Sequence, residues 1–255
     1  MRNKFAAQLY TLREQCKKDF YGTLRILKEM GWRSVQIDGL HGYPAEEIAT
    51  VLKETGLSVA GMHVSLTRMN TELDVVLKEA ESFGTPYFYC HYLPSEMQDE
   101  AGYRQAKREL LEVAGKVRGL GYHVGYHNHD FEFHIEIDGK VALDYLLATE
   151  DGYSLLPEID TYWVKKAGRD PLTYISQYAG RKFPILHLKD MTNDDRQYFA
   201  EVGTGSIDFG PIIQWGEANG VEYYAVEQDY CPGNPFDSLA LSLEHLRKLV
   251  SGASK

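Results

Sequence analysis

Apolar and polar positions follow a repeating pattern along this chain. An amphipathic stretch ends at a glycine, and a short apolar run begins within a few residues: Gly56 precedes the run 59–63, and Gly121 precedes the run 123–127. A glycine just past a helix end is typical of a left-handed C-terminal cap. An apolar run directly after it is typical of a buried parallel strand. The pattern therefore predicts helices alternating with the strands of a parallel sheet.

Eight such units fill the chain. The predicted strands are 4–10, 33–38, 57–64, 86–91, 122–128, 153–160, 183–189 and 222–228. The predicted helices are 19–30, 44–55, 71–83, 98–120, 142–149, 170–179, 208–219 and 236–250, with Asp19 and Asn70 as N-caps and Pro44 at a helix start. Eight units without a linker predict an α/β fold, a single (β/α)8 TIM barrel that occupies residues 1–255 as one domain. The alternative, an open doubly wound sheet, lacks a GxGxxG fingerprint, and Gly203-Thr204-Gly205 is interpreted as a loop.

Charge and composition restrict the class of partner and the compartment. The formal net charge is −10, without the basic cluster that a nucleic-acid-binding face requires. Cys16, Cys90 and Cys231 form no CxxC pair, which favours a reducing compartment. The chain shows neither a signal-peptide pattern nor an apolar run of about 18 residues. We therefore expect a cytoplasmic protein with no nucleic-acid partner and no membrane partner.

Polar residues collect where the predicted strands end. In a TIM barrel, the C-terminal strand ends surround the active site. These strand ends carry Gln8, Tyr10, Asp38, His63, His91, His127, His129, Glu158, Asp160, His187, Lys189, Glu227 and Asp229. Alternate side chains of a strand share a face, so Glu158 and Asp160 point the same way, as do His127 and His129. The pattern predicts that imidazoles and carboxylates converge at one mouth of the barrel.

This convergence predicts a divalent metal site, because unpaired buried carboxylates are costly and mixed nitrogen and oxygen ligands suit such cations. Several of the side chains also have purely structural interpretations. His91 could pack among neighbouring tyrosines, Asp38 could cap a turn, and Trp163 could cover the core. Lys189 could form an exposed ion pair with Asp190. Three polar groups on consecutive strand ends, Asp160, His187 and Glu227, are harder to explain by packing.

The chain resembles the xylose-isomerase-like barrel superfamily, which includes sugar isomerases and epimerases, inosose dehydratase and endonuclease IV. The motifs that carry the resemblance are Tyr126-His127-Asn128-His129, Glu158-Ile159-Asp160-Thr161-Tyr162-Trp163, His187-Leu188-Lys189-Asp190, Glu201-Val202-Gly203-Thr204-Gly205-Ser206-Ile207-Asp208 and Val226-Glu227. Their order and spacing span essentially the whole chain. The first motif, Tyr-His-x-His, is more similar to inosose dehydratase and keto-sugar lyases than to the simple epimerases.

The resemblance implies a set of metal ligands. Epimerase-like members hold the metal with Glu, Asp, His and Glu at the ends of strands five to eight. Asp160, His187 and Glu227 match the last three positions. The first position departs from the family, because this chain reads His127-Asn128-His129 where those members read Glu-Asn-His. We take His127 as the fourth ligand, with Glu132 and Glu158 as open alternatives.

The resemblance also implies a reaction, namely proton abstraction next to a carbonyl of a sugar or keto-sugar, with or without a phosphate group. The candidate catalytic residues are Glu227 or Glu132 as base, His127 or His129 as acid, and Lys189 for a hydroxyl or oxyanion. The candidate substrate-binding residues are Gln8, His63, His91, Glu158 and Trp163. The expected cofactor is a divalent metal, with manganese favoured over zinc, cobalt, iron and magnesium. The expected partners are a small-molecule carbohydrate and, in a homo-oligomer, further copies of this chain.

Three other functions compete with an isomerase or epimerase. A metal-dependent dehydratase or lyase acting on a keto-polyol or 3-keto-glycoside would share the early steps of the reaction. A non-catalytic sugar-binding partner subunit would have a degraded metal site, which the intact Asp160, His187 and Glu227 argue against. An endonuclease is disfavoured by the net charge of −10.

Overall fold

The computed structural model describes residues 4–150 and 152–252. The strands are β1 Phe5–Gln8, β2 Ser34–Asp38, β3 Ser58–Val64, β4 Tyr87–Cys90, β5 His123–His127, β6 Glu136–Ile137, β7 Lys140–Val141, β8 Leu156–Glu158, β9 Ile185–Leu188, β10 Asp190–Met191, β11 Phe199–Ala200 and β12 Tyr223–Val226. Eight of them form one parallel sheet in the order β8-β5-β4-β3-β2-β1-β12-β9. The remaining four form two short antiparallel ribbons, β6 with β7 and β10 with β11.

The two outer strands of this sheet meet and nearly close a barrel. Just past the end of β8, Asp160 forms a parallel bridge with His187 of β9. The backbone N–H of His187 donates to the carbonyl oxygen of Ile159 at 3.0 Å. The predicted (β/α)8 TIM barrel is therefore confirmed.

Helices surround the sheet. They are α1 Arg13–Glu29, α2 Ala45–Thr55, α3 Leu66–Thr71, α4 Leu73–Phe83, α5 Glu100–Arg118, α6 Ala142–Leu147, α7 Thr161–Lys166, α8 Pro171–Ser176, α9 Phe209–Ala218 and α10 Pro235–Gly252. The predicted cap at Asp19 is confirmed: its backbone leaves the helical region inside α1, and its side chain accepts the N–H of Gly22 at 2.8 Å. The predicted cap at Asn70 is wrong, because Asn70 lies within α3 and its side chain donates to Glu109.

The barrel interior has an apolar lower layer. Side chains from six strands pack there in a cluster of their own, namely Ala6, Ala60, Tyr87, Tyr89, Leu156, Ile185 and Ala225. Gly125 belongs to the same level, and a Cβ there would lie 2.2 Å from the ring of Tyr89. Glycine at this position therefore lets the tyrosine ring fill the barrel. This packed layer forms the floor beneath the polar residues of the mouth.

One irregularity in the sheet determines which way His63 points. Strand β2 pairs Val35 with Val59, but Ile37 with Met62, so β3 carries one extra residue between these pairs. Such a β-bulge changes which side chains face inward beyond it. As a result His63 points into the barrel, although it lies three residues after the inward-facing Ala60.

No helix within the described residues, 4–150 and 152–252, is long and apolar enough to cross a membrane.

Candidate metal centre

Polar side chains form the layer directly above the apolar floor. Two residues further along their strands than the floor positions lie Gln8, His91, His127, Glu158, His187 and Glu227. Alternation along a strand turns all of these side chains toward the barrel axis. The next inward positions on β8, β9 and β12 bring in Asp160, Lys189 and Asp229. The barrel mouth is therefore lined with imidazoles and carboxylates, as the sequence predicts.

Two groups of four side chains could each hold a metal ion, and they share His127 and His187. The outer quartet adds Asp160 and Glu227, whereas the inner quartet adds His63 and Glu158. Within each quartet, one donor atom per residue lies within 4.8 Å of all the others. Ligands about 2.1 Å from a common metal lie roughly 3–4 Å from one another. Both quartets are therefore close to coordinating geometry.

One carboxylate oxygen of Asp160 accepts hydrogen bonds, and the other accepts none from the described residues. Its Oδ1 caps α7 by accepting the backbone N–H groups of Tyr162 and Trp163 at 2.8 and 3.2 Å. Its backbone N–H donates to Oδ1 of Asn128 at 2.9 Å, which fixes the residue in place. Among the described residues, nothing donates a hydrogen bond to Oδ2, which is buried. A buried carboxylate oxygen that accepts no hydrogen bond from these residues, 3.5 Å from the ammonium group of Lys189 and beside two imidazoles, fits a divalent cation.

His187 lies between carboxylates on both edges of its ring. Its Nδ1 is 3.2 Å from Oε2 of Glu227, and its Nε2 is 3.3 Å from Oε2 of Glu158. Burial alone would lower the pKa of His187, but Glu158 and Glu227 raise it to about 10. The pKa of His127 behaves in the opposite way, because burial and the neighbouring His187 lower it to about 3.

Lys189 supplies the positive charge of the outer quartet. It is 1% exposed, and its ammonium group lies 3.5 Å from Asp160 Oδ2, 3.3 Å from Glu227 Oε2 and in contact with Asp229. Burial would lower the pKa of this ammonium group, but Glu227 and Asp160 raise it above its ordinary value. Lys189 in turn holds the pKa of Glu227 well below its usual range, although burial opposes this shift.

The interpretation of Lys189 as an exposed partner of Asp190 is wrong. Asp190 points away from the mouth and accepts backbone N–H groups of the loop that follows β11, namely those of Gly203, Gly205 and Ile207. The segment Gly203-Thr204-Gly205 is thus a loop fixed by a carboxylate.

Glu132 lies apart from the quartets. Its carboxylate accepts the hydroxyl of Tyr126 and the backbone N–H of His129, each at 2.8 Å. Tyr126 points to the outer side of β5, so Glu132 is held on that side as well. Burial raises the pKa of Glu132 to about 8. Its position favours a structural role beneath the loop that carries His129.

The remaining predicted residues surround the two quartets. Gln8 contacts His63 at 3.2 Å, and the ring of His91 stacks on that of His63 with centroids 5.2 Å apart. His129 stacks on Phe131 at 5.1 Å and lies 5.3 Å from Trp163. Burial and the neighbouring His127 hold the pKa of His129 well below its ordinary value, so this ring is neutral.

A cavity of about 310 Å³ opens above the outer quartet. Its lining residues are Tyr10, Asp38, His63, His91, Tyr92, His127, His129, Lys189, Glu227 and Asp229. Sequence reasoning did not propose a functional role for Asp38, Tyr92 or Asp229. Asp38 and Asp229 follow the same alternation that identified their neighbours, two residues after Gln36 and Glu227. Gln36 itself was missed, and it contacts both Glu158 and His187 from β2.

Comparison with solved structures identifies the fold. A sugar phosphate isomerase/epimerase from Parabacteroides distasonis ATCC 8503 matches with a TM-score of 0.80 at 20% identity, covering 96% of this chain and 98% of that one. A xylose isomerase domain protein from Alicyclobacillus acidocaldarius matches with a TM-score of 0.77 at 17% identity, covering 98% and 100%. This chain has the (β/α)8 TIM barrel fold of these two structures. The resemblance that the motifs indicated is thereby confirmed for the architecture.

A third solved structure with this fold is the probable 3-DHS dehydratase AsbF from Bacillus anthracis. It matches with a TM-score of 0.74 at 14% identity, covering 96% of this chain and 98% of that one. By sequence, no family model and no curated protein matches the chain. Isomerase and dehydratase descriptions thus occur among proteins that share one architecture, so the function must be argued from the site.

Proposed function

We propose that this protein is a metal-dependent isomerase or epimerase that acts on a sugar or keto-sugar by moving a proton next to a carbonyl. The outer quartet supports this proposal most directly, because two imidazoles and two carboxylates meet there beside an accessible cavity. His127, Asp160, His187 and Glu227 would hold the cation. Manganese is the first candidate, with zinc, cobalt, iron and magnesium as alternatives.

When bound, the cation would polarise the substrate carbonyl and stabilise negative charge on its oxygen. Glu227 is ionised because Lys189 lies beside it, and it lines the cavity, so it is the candidate base for the adjacent carbon. His129 is neutral and lines the same cavity, so as the candidate acid it could donate its ring N–H to a substrate oxygen. Lys189 would hold a substrate oxygen in place.

A metal-dependent dehydratase or lyase acting on a keto-polyol or 3-keto-glycoside is the second candidate. His127 stands at the position where epimerase-like relatives carry a glutamate, so Glu227 is the one glutamate of the outer quartet. A single base is enough to start an elimination, whereas epimerisation also needs a group to return the proton from the other face. The dehydratase neighbour has the same architecture.

The charge of the cavity favours a substrate without a phosphate group. Three carboxylates line the cavity, those of Asp38, Glu227 and Asp229, and that of Asp160 lies 3.5 Å from Lys189. The positive charges are the ammonium group of Lys189 and the ring of His63, because Glu158 raises the pKa of His63 to about 9 although burial opposes this shift. A divalent cation in the outer quartet would bring this wall to about neutral, so the wall offers a phosphate group no excess of positive charge. Like charges within several ångströms repel by about 1 kcal/mol or more at the effective dielectric constant of a protein surface.

The guanidinium group of Arg13 lies beside this wall, but backbone oxygens already accept its hydrogen bonds. It donates to the backbone oxygens of Tyr10 and Asp229, each at 2.9 Å. We expect a neutral keto-hexose to bind at least about fivefold more tightly than its phosphate monoester, as measured by calorimetry with the metal-loaded protein. Tighter binding of the phosphate would contradict this part of the proposal.

The reaction can be identified by incubating the metal-loaded protein with 3-keto-sugars and inososes in deuterated water. Deuterium incorporation without elimination would support an isomerase or epimerase, whereas release of water or an alcohol would support a lyase. Glu227→Gln should abolish both the deuterium incorporation and the elimination. The exposed Glu244 on α10 provides a matched control, Glu244→Gln, which should exchange at the wild-type rate. A protein that binds no metal after careful loading, or that binds metal and the sugar without exchange, would favour a non-catalytic sugar-binding subunit.

A further inference from the structure

We infer that Glu158 is a positioning residue that selects the ring tautomers of His127 and His187, so that both present an unprotonated nitrogen to the outer quartet. The inference rests on the proposed metal centre and deepens it. It places Glu158 behind the metal ligands. From the sequence alone, Glu158 was a candidate for binding the substrate or the metal directly.

The position of Glu158 is the first support. The residue is 0% exposed and ends β8 between the two histidines. Its Oε2 lies 3.2 Å from Nδ1 of His127 and 3.3 Å from Nε2 of His187. The opposite ring nitrogens face the outer quartet: Nε2 of His127 lies 4.0 Å from Asp160 Oδ2, and Nδ1 of His187 lies 3.2 Å from Glu227 Oε2. Each imidazole therefore spans the gap between Glu158 and one outer carboxylate.

A neutral imidazole carries one N–H donor and one bare acceptor nitrogen. An ionised carboxylate only accepts hydrogen bonds, so a ring nitrogen that faces Glu158 is stabilised as the N–H. The other nitrogen of that ring is then bare and available to a cation. A carboxylate that accepts from the far side of a ligating histidine is a common arrangement behind metal ligands. Here one carboxylate would serve two ligands.

Gln36 fixes the direction of this arrangement. Its Nε2 donates to Glu158 Oε1 at 2.6 Å, which leaves its Oε1 facing Nε2 of His187 at 2.8 Å. The reverse orientation of the amide would place two acceptor oxygens 2.6 Å apart. Nε2 of His187 therefore meets two acceptors, from Gln36 and Glu158, and is the nitrogen that stays protonated when the ring is neutral. Nδ1 of His187 remains for the metal.

His127 needs one further step to fit the same scheme. Among the described residues its Nδ1 makes no aligned hydrogen bond, although Glu158 Oε2 lies 3.2 Å away. A turn of the ring about its side-chain bonds would bring the N–H onto this oxygen. It would also reorient Nε2, which faces Oδ2 of Asp160.

The inner quartet is the competing explanation, in which Glu158 itself holds the metal together with His63. Glu158 is already engaged there, because His63 Nε2 lies 2.6 Å from its Oε2 and Gln36 occupies its Oε1. Each quartet has two members in the lining of the cavity, namely His63 and His127 for the inner quartet and His127 and Glu227 for the outer one. The outer quartet also contains the buried Oδ2 of Asp160, which accepts no hydrogen bond among the described residues, so the outer quartet is the site that Glu158 supports.

The test combines metal binding with a direct measurement of the tautomers. Two-bond ¹H–¹⁵N spectra of histidine-labelled wild-type protein, loaded with Zn²⁺, should show His187 protonated at Nε2 and His127 protonated at Nδ1. Glu158→Gln should weaken Zn²⁺ binding roughly 10–100-fold in calorimetry, with the stoichiometry kept at one. The buried Glu79 on α4, which pairs with Arg68 and does not line the cavity, provides the matched control Glu79→Gln, which should bind Zn²⁺ as the wild type does.

The outcomes separate the two proposals. Unchanged Zn²⁺ affinity in Glu158→Gln, or the opposite tautomers in wild-type protein, would overturn the role of Glu158 while the metal centre stands. Loss of one oxygen ligand from the X-ray absorption spectrum of Glu158→Gln would overturn it in favour of the inner quartet. A wild-type protein that binds no divalent metal would overturn the proposed function, and the inference with it. The wild-type spectra decide the point even if Glu158→Gln does not fold.

Discussion

Replacing Lys189 with methionine removes the positive charge that balances Asp160, Glu227 and Asp229. The ammonium group contacts all three carboxylates and is 1% exposed. Breaking a buried ion pair by removing one partner costs about 3–5 kcal/mol, because the remaining charge stays buried without compensation. Methionine fills a similar volume, so the expected cost comes mainly from the charge. For a protein of this size, we expect the melting temperature to fall by about 6–20 °C at pH 8 without metal.

This deficit should depend on pH. Burial already raises the pKa values of Asp160 and Asp229 in the wild type, where Lys189 opposes the shift, so without Lys189 these folded-state values rise further above their unfolded values and the folded variant binds more protons than the unfolded chain. Stability then falls as the pH rises through the interval between these values, and the deficit is smallest in acid. Addition of Mn²⁺ should restore more of the melting temperature in the variant than in the wild type, since the cation replaces the missing positive charge.

Lys107 provides the control for this experiment. It is equally buried, at 3% exposure, but its partner Glu150 is solvent-exposed and can be hydrated when the lysine is removed. Lys107→Met should therefore cost no more than about 1 kcal/mol and show no response to Mn²⁺. The reasoning fails if Lys189→Met and Lys107→Met unfold at the same temperature in differential scanning calorimetry, or if Mn²⁺ stabilises both equally.

Three further predictions concern the same centre and its floor. Asp160→Asn should keep the cap of α7, because an amide oxygen can replace Oδ1, so the melting temperature of the metal-free protein should change little. The same variant should bind Mn²⁺ more than about tenfold more weakly in titration calorimetry. An unchanged Mn²⁺ affinity would exclude Asp160 as a ligand. Metal affinity should rise roughly tenfold per pH unit between pH 6 and 9. The reason is that Glu158 and Glu227 raise the pKa of His187, so a cation must displace a proton from this ring. A dissociation constant for the metal that does not change with pH would contradict this prediction. Gly125→Ala should destabilise the protein by about 1–3 kcal/mol in urea, because its Cβ would clash with the ring of Tyr89, and a stability equal to that of the wild type would show that the floor can rearrange.

Strand alternation accounts for most of what could be predicted from the sequence. Once a strand and its end are recognised, residues two apart share a face, so His127, Asp160 and His187 can be assigned to the barrel mouth without coordinates. The same rule also places Gln36, two residues before the strand-end Asp38, on the inward face of the second strand. Gln36 was missed because glutamine is common on exposed surfaces, and the sequence gives no sign that this strand is buried along its whole length.

Alternation along a strand does not predict the side-chain directions of His63 and Glu132. His63 faces inward because β3 carries an extra residue, and a bulge has no reliable sequence signal beyond a nearby glycine, Gly61. Glu132 follows the end of β5, where a short 3₁₀ turn at Phe131–Phe133 sets its direction. Beyond a strand end the alternation rule no longer applies, so three residues after His129 the side chain can point to either side of the sheet.

The histidine at position 127 of β5 connects the electrostatics of the centre to its chemistry. A glutamate at position 127 would add a negative charge to a mouth that already contains Asp160, Glu227 and Asp229 around Lys189. His127 adds a ligand without adding charge, since burial and His187 keep its pKa low and the ring neutral. The cation would then retain more of its positive charge for the substrate, while proton transfer would depend on Glu227. This arrangement favours reactions that stabilise an anion and transfer one proton at the metal, and it explains why isomerisation and elimination are the two outcomes that the deuterium experiment must separate.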